Sequence, residues 1–186
     1  MSERTEWQRI ARRIRVPLGF VFAAVFLWLA RPTWRTMGLS LILVVPGLGL
    51  RGYASGYVRK NTELTRTGPY AYTRNPLYLG SMMIAFGFAV ASGSWILFVA
   101  LAVLFLAIYL PTIRSEEAYL RERFAGFDDY SAKVPRLLPR LTPARTSEEA
   151  GEFSGELYRR HREYNACMGA IAIYVALAAR LVFFGR

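Results

Sequence analysis

Hydrophobic residues along this chain fall into long blocks, rather than recurring at the spacing of amphipathic helices. Blocks of this length are typical of helices that cross a bilayer. They predict transmembrane helices over residues 16–30, 37–58, 77–92, 94–110 and 164–184, after a short interfacial helix over residues 1–15. We therefore expect an all-α, polytopic integral membrane protein with about five transmembrane helices.

The interruptions between these blocks indicate how the chain is organised. Ser92-Gly93-Ser94 predicts a tight turn between the third and fourth helices, and Pro46 predicts a kink in the second. Residues 111–162 are polar, and we expect helices over 114–124 and 146–163 within them. The whole chain, 1–186, is thus predicted to be one domain: a four-helix membrane core (16–110), a polar helical segment (111–162) and a C-terminal transmembrane helix (163–186).

Arg51 is the one charged residue inside the first four predicted transmembrane helices. A lipid-facing arginine near the bilayer centre is costly. The favoured interpretation places Arg51 near the end of its helix, with its side chain reaching the interface. The alternative is that it points into a polar cavity.

The distribution of the charges that give the net +11 predicts how the protein is oriented in the membrane. Arginines and lysines lie before the first block, around residues 59–74 and between residues 114 and 162, whereas the opposite loops carry few. The positive-inside rule therefore predicts a cytoplasmic N-terminus and cytoplasmic polar segments, in the bacterial inner membrane or an equivalent membrane. No basic face or nucleic-acid motif is visible, so no nucleic-acid partner is expected.

Cysteine and histidine usage narrows the chemistry further. Cys167 is the single cysteine and His161 the single histidine. An internal disulfide is therefore excluded, and we expect neither a thiolate metal cluster nor a metal-dependent mechanism.

The stretch Thr67–Gly80 carries an unusual density of turn residues and polar aromatics immediately before an apolar block. Gly68-Pro69 predicts a defined turn, and Asn75-Pro76 predicts that the next helix begins at Pro76. The amides at that helix start, together with Arg74, would attract a carboxylate group. The alternative is an interfacial loop with an aromatic belt.

Glu116-Glu117 follows one predicted hairpin later. Neighbouring residues on a helix point about 100° apart, so the two carboxylates cannot share one task. One of them could bind a cationic amine. The alternative for Glu117 is an exposed ion pair with Arg121, four residues further on.

Read together, these motifs resemble a known family. The ordered series Gly-Pro-Tyr, Arg-Asn-Pro-Leu-Tyr-Leu-Gly, a hairpin, Glu-Glu and Val134-Pro-Arg is similar to the isoprenylcysteine carboxyl methyltransferases and phospholipid N-methyltransferases, over residues 64–143. The resemblance implies an integral membrane methyltransferase that uses S-adenosylmethionine. It implies a cytoplasmic cofactor pocket formed by Gly68, Tyr70, Arg74, Asn75, Pro76, Tyr78, Gly80, Glu116, Glu117 and Tyr130. Asn75 stands where the family often has histidine, so it keeps hydrogen bonding but has no titratable ring.

The expected reaction is methyl transfer to a lipophilic acceptor at the cytoplasmic membrane face. For a carboxylate acceptor, such as an isoprenylcysteine, Arg114 or Arg136 would orient the substrate. For an amine acceptor, a base would have to take a proton, and Glu116 or Glu117 is the candidate. The expected partners are the lipid-like or lipidated substrate and membrane lipids, and a homo-oligomer stays open.

Two other functions are weighed against methyl transfer. One is a membrane reductase of the sterol type, which would use a nicotinamide cofactor. The other is a non-enzymatic scaffold or transport subunit. Transport usually needs ionisable residues within the helices, and the four predicted helices before residue 111 contain no aspartate or glutamate.

Overall fold

A computed structural model describes residues 23–59, 62–144 and 151–184 of the chain. Over these ranges the regular elements are helical, without a strand, which confirms the all-α prediction. The helices are α1 (23–29), α2 (Trp34–Ser55), α3 (Pro76–Ser92), α4 (Trp95–Leu104), α5 (Leu110–Arg123), α6 (Phe127–Lys133), α7 (Gly155–His161) and α8 (Tyr164–Phe184). The predicted interfacial helix at 1–15, residues 16–22 of the predicted helix at 16–30 and the start of the one at 146–163 lie outside the described residues.

Within the described ranges, three helices are long and apolar enough to cross a membrane: Trp34–Ser55, Trp95–Arg123 and Tyr164–Phe184. Pro76–Ser92 is a shorter apolar helix. Together they agree with a polytopic integral membrane protein, and the predicted boundaries of the last helix match those of α8.

The centre of the fold is the pair α2 and α3, whose backbones touch. A Cβ atom added to Gly47 would lie 2.9 Å from the carbonyl oxygen of Gly80, and one added to Gly80 would lie 2.8 Å from that of Gly47. Small residues at a helix crossing permit this close approach in a membrane, where van der Waals packing drives association. Gly80 therefore has a packing role at the crossing.

The segment after α3 differs from the prediction of separate helices over 94–110 and 114–124. Gly93 adopts the left-handed conformation (φ 63°) and makes the expected turn. The chain then runs as one helix from Trp95 to Arg123, with a π-helical stretch at Phe105–Tyr109. Pro111 lacks an N–H and would clash with a carbonyl one turn earlier in a regular helix. The wider π turn just before Pro111 allows the helix to continue, so the boundary predicted at 110 is wrong.

The C-terminal helix α8 packs on the outside of this core. The Tyr174 ring lies 5.3 Å from the ring of Phe88, and its hydroxyl is hydrogen-bonded to Ser40 Oγ. Leu177 is fully buried in the same cluster. The first residues of α8 lie beside the C-terminal end of α2, since Glu163, immediately before α8, binds Arg51.

One end of the helical bundle is marked by exposed tryptophans. Trp28, Trp34 and Trp95 are 75%, 64% and 76% exposed. They lie at neighbouring turns, which are joined by the hydrogen bond from Arg31 N to Ser92 O. Tryptophans are enriched at membrane interfaces, so these turns mark one interface.

Candidate functional site

The opposite end of the bundle is built around the turn before α3. Gly68–Ala71 forms a short 3₁₀ helix. Gly68 has a φ of 58°, and a Cβ atom there would lie 2.5 Å from the ring of Tyr57. Only glycine satisfies both conditions without strain. The start of this 3₁₀ helix therefore requires a glycine at position 68.

The polar segment after α6 is held to this turn by backbone hydrogen bonds. Arg74 N donates to Pro135 O at 2.9 Å, and Arg140 N donates to Tyr72 O at 3.0 Å. Ala144 N donates to the carbonyl oxygen of Ala71 at 2.9 Å. The two segments, far apart in sequence, therefore form one layer across the end of the bundle.

Two buried tyrosines join this layer to α6. The Tyr130 hydroxyl donates to the Tyr70 carbonyl oxygen at 2.8 Å. Burial raises the pKa of both phenols well above the usual range. Both hydroxyls therefore stay protonated at physiological pH and act as neutral groups.

The centre of the layer is the carboxylate of Glu117, on α5. Glu117 is 6% exposed and accepts hydrogen bonds from three side chains. Arg74 Nε lies 2.9 Å away, Arg136 Nε 2.9 Å and Asn75 Nδ2 3.1 Å. Two arginines around one carboxylate leave this group, which we call the Glu117 cluster (Arg74, Asn75, Glu117 and Arg136), with a net positive charge.

The Glu117 cluster also ties the backbone together. Arg74 Nη1 donates to the carbonyl oxygens of Ser131 at 2.8 Å and Val134 at 2.6 Å. Arg121 does not take part, because it pairs with Asp128 at 2.7 Å. The alternative interpretation of Glu117 as an exposed partner of Arg121 is therefore wrong: burial of Glu117 directs its carboxylate toward the turn before α3.

The neighbouring carboxylate, Glu116, is in a different environment. Its side chain is exposed, and its Oε1 accepts a hydrogen bond from the Tyr78 hydroxyl at 2.9 Å. The Tyr78 ring packs edge-on against Tyr109, with 5.7 Å between centroids. Within the described ranges Glu116 forms no ion pair, since no cationic nitrogen there lies within 4.0 Å of its oxygens.

These groups border a cavity of about 490 Å³. Ligand sites in proteins usually have volumes of about 300–1,000 Å³. Eight of the residues predicted for the cofactor site line it: Tyr70, Arg74, Asn75, Pro76, Tyr78, Glu116, Glu117 and Tyr130. Apolar and aromatic walls come from Leu64, Leu77, Tyr119, Leu120 and Phe127.

Four predicted site residues do not line the cavity. Gly80 lies at the α2–α3 crossing, where close packing explains the glycine. Gly68 begins the 3₁₀ helix, where backbone geometry and the nearby Tyr57 ring explain it. Arg136 contacts Glu117 and is absent from the cavity wall, and Arg114 is exposed on α5. Neither arginine is placed to orient a substrate in this cavity.

Among the cavity residues that the sequence did not assign to the site are two charged ones that bind each other, Arg51 and Glu163. Arg51 Nε and Nη2 donate to the Glu163 carboxylate at 3.0 and 2.9 Å. Arg51 lies near the end of α2, as in the favoured interpretation, but its side chain points into a polar cavity, as in the alternative, and is bound there by Glu163 and Ser81. The one signal for Glu163 is its place immediately before α8.

Among the residues that the structure describes, no group of three or more histidine, cysteine, aspartate or glutamate side chains could hold a metal ion.

Comparison with known proteins agrees with the resemblance seen in the motifs. The profile of the phospholipid methyltransferase family matches residues 36–126 of this chain. The match runs from the first turn of α2 to just beyond α5 and includes Arg74 and Asn75 before α3, Tyr78 on α3, and Glu116 and Glu117 on α5. It confirms the predicted resemblance to membrane methyltransferases of this type. No solved structure matches the chain significantly.

Two curated relatives are named for metal resistance. The chain is 41% identical over 83 residues to the nickel-cobalt-cadmium resistance protein NccN of Alcaligenes xylosoxydans xylosoxydans, which covers 45% of this chain and 38% of the relative. It is 32% identical over 130 residues to the cobalt-zinc-cadmium resistance protein CzcN of Cupriavidus metallidurans, covering 65% and 59%. The chain thus spans less than two thirds of the length of either relative.

Proposed function

We propose that this protein transfers the methyl group of S-adenosylmethionine to a lipophilic acceptor at the membrane interface. The observation that carries the proposal is the carboxylate of Glu116, which has no ion pair within the described part of the chain and lies on the wall of a 490 Å³ cavity. The family match over residues 36–126 supports the reaction class.

The residues of the cavity fit the groups of this cofactor. Its ammonium group would bind a carboxylate, and that of Glu116 is held in position by the hydrogen bond from the Tyr78 hydroxyl. Its carboxylate calls for a cation or helix-terminal amides. Arg74 is engaged by Glu117, so we assign this role to Arg59, whose pair with Glu63 is long at 3.6 Å and exposed, and to the amides that begin α3. Tyr119, Leu120 and Phe127 offer apolar surface for the adenine.

Bound S-adenosylmethionine supplies a methyl group already activated by its sulfonium, so the protein contributes alignment and exclusion of water. The Glu117 cluster holds α3, α5 and the 134–136 segment at fixed distances around the cavity. Phe127 and Tyr130 close the cavity on the side of α6.

The test is to supply purified protein with methyl-labelled S-adenosylmethionine and a lipid extract of the host membrane. We expect the label in one lipid-soluble product, which mass spectrometry would identify. S-Adenosylhomocysteine should inhibit the transfer, whereas NADPH should neither bind nor compete. Thermal stabilisation by NADPH alone would favour the reductase instead, and failure to bind S-adenosylmethionine would rule out the proposal.

A second candidate function is a contribution to tolerance of divalent metal ions. It is favoured by the names of the two relatives, both of which are resistance proteins for cobalt and cadmium. If tolerance depends on methyl transfer, host cells lacking the protein should grow less well in cobalt or cadmium. Wild-type protein should restore growth and Glu116→Gln should not. Full rescue by Glu116→Gln would separate tolerance from the site.

A further inference from the structure

One wall of the cavity contains an ion pair that the proposed methyl transfer does not use. Arg51, on α2, and Glu163, immediately before α8, both line the cavity. Their side chains are 25% and 11% exposed and lie 2.9 Å apart. Glu163 lies outside the segment that the phospholipid methyltransferase profile matches. The C-terminal part of the chain therefore contributes to the cavity.

This ion pair lies at the depth of a membrane interface. Along α2, Arg51 is 17 residues from Trp34, or about 26 Å at 1.5 Å per residue. The exposed tryptophans mark the other interface, and the hydrocarbon core is about 30 Å thick. Arg51 therefore lies near the level at which the head group of a membrane lipid begins.

Arg51 retains capacity for a further ligand. Its guanidinium carries five N–H donors. Two are used by Glu163, and Nη1 donates to Ser81 Oγ and, at 3.5 Å, to Leu77 O. Among the residues that the structure describes, these contacts account for four donors and leave one N–H of Nη2 to donate to an oxygen of a ligand. The hydrogen bonds to Glu163, Ser81 and Leu77 hold the guanidinium plane in place, so less side-chain entropy would be lost when a ligand binds.

The surroundings of Glu163 offset its negative charge. Arg159, Arg160 and Arg162 precede α8 and are exposed. A cluster of arginines next to a transmembrane helix attracts anionic lipid head groups, at about 1 kcal/mol per residue. An oxyanion beside Arg51 would therefore meet a positive local potential despite the carboxylate.

We propose that Arg51 binds the oxyanion of an amphiphilic methyl acceptor, a phosphate or carboxylate in its head group, and that Glu163 holds the guanidinium in place. The inference rests on the proposed function in naming the ligand as the acceptor. Glu116 and the Glu117 cluster come from α5, from the turn before α3 and from the segment after α6, whereas Arg51 and Glu163 come from α2 and from the residue before α8, so the cofactor ammonium and the acceptor head group would contact different residues of one cavity.

Native mass spectrometry of the detergent-solubilised full chain tests this assignment. The probes are dioleoyl phosphatidic acid and oleate, with dioleoylglycerol as the neutral control. We expect both anionic lipids to bind more tightly than dioleoylglycerol. Arg51→Gln should weaken anionic lipid binding about tenfold, the effect of one charge-assisted hydrogen bond, without changing dioleoylglycerol binding. Inorganic phosphate should not displace the lipids if the ligand is a membrane amphiphile.

The matched variant is Glu163→Gln, which keeps an oxygen acceptor for Arg51 but removes the carboxylate charge. It should bind phosphatidic acid at least as tightly as the wild-type protein. A loss equal to that of Arg51→Gln would make the pair a structural ion pair and overturn the proposal, as would unchanged binding in Arg51→Gln. The double variant Arg51→Gln/Glu163→Gln, which leaves no unpaired charge, controls for folding through its melting temperature.

A separate measurement distinguishes this inference from the proposed function. S-Adenosylmethionine affinity should stay within about twofold of wild type in both single variants, since neither residue belongs to the proposed cofactor wall. If wild-type protein binds no S-adenosylmethionine, the proposed function fails while the lipid result stands by itself. If the cofactor binds and Arg51→Gln keeps its lipid affinity, the present inference fails alone.

Discussion

The Glu117→Ala variant is expected to lose S-adenosylmethionine binding and to unfold at a lower temperature than the wild-type protein. Glu117 is 6% exposed and accepts hydrogen bonds from Arg74, Arg136 and Asn75. Its removal leaves Arg74, with an 11% exposed side chain, without its carboxylate partner. Removing one partner of a buried ion pair typically costs about 3–5 kcal/mol. The cavity wall from α3 to α6 should loosen as a result.

Two further variants test whether these losses are specific to Glu117. Glu122→Ala removes an exposed carboxylate from the same helix and should change neither property. Arg136→Gln removes one of two cations and leaves the Arg74 pair intact, so its effect should be smaller than that of Glu117→Ala. Melting temperature and equilibrium binding of labelled S-adenosylmethionine are the measurements. A Glu117→Ala protein with wild-type values for both would contradict the role given to the cluster.

The helices of this fold could be predicted well from hydrophobic blocks, because length and composition decide whether a helix can cross a bilayer. The boundaries of α8 and the turn at Gly93 agree with the prediction. The continuity of the helix from Trp95 to Arg123 was not predictable by the same rule. A proline usually ends a helix, and only the π turn before Pro111 shows that this one continues.

The site could be predicted in part, because its central residues lie in short motifs. Arg74, Asn75, Tyr78 and the two glutamates are indicated by the order of those motifs, and the structure brings them to one cavity. Which glutamate is buried was not predictable. A 100° turn between neighbours separates Glu116 from Glu117, but the sequence does not say which of the two faces the turn before α3.

The contribution of Glu163 shows where sequence reasoning ends. Its partner Arg51 lies 112 residues earlier, and nothing local links them. The contact depends on α8 packing beside α2, through Tyr174 and Leu177. Tertiary packing of this kind has no signal in a single sequence, since each of the two helices reads simply as an apolar block.

The Glu116→Gln variant is expected to bind S-adenosylmethionine about tenfold to a hundredfold more weakly while keeping the melting temperature of the wild-type protein. A hydrogen bond to a charged group contributes about 1.5–3 kcal/mol, and each 1.4 kcal/mol is a factor of ten in affinity. Glutamine keeps an oxygen that can accept from the Tyr78 hydroxyl, so the change removes the charge and little else. Because Glu116 is exposed and has no cationic partner among the described residues, its neutralisation leaves no charge unpaired.

Tyr78→Phe separates the charge of Glu116 from its orientation. Phenylalanine keeps the ring packing on Tyr109 and removes the hydroxyl that donates to Glu116 at 2.9 Å. We expect a loss of affinity of only a fewfold, since the carboxylate keeps its charge but not its fixed position. Equilibrium binding of labelled cofactor, with melting temperature in parallel, measures both variants. If the Glu116→Gln protein keeps wild-type affinity, another carboxylate must bind the ammonium group. Glu63 would then be the next residue to replace, because it lines the cavity and its ion pair with Arg59 is exposed.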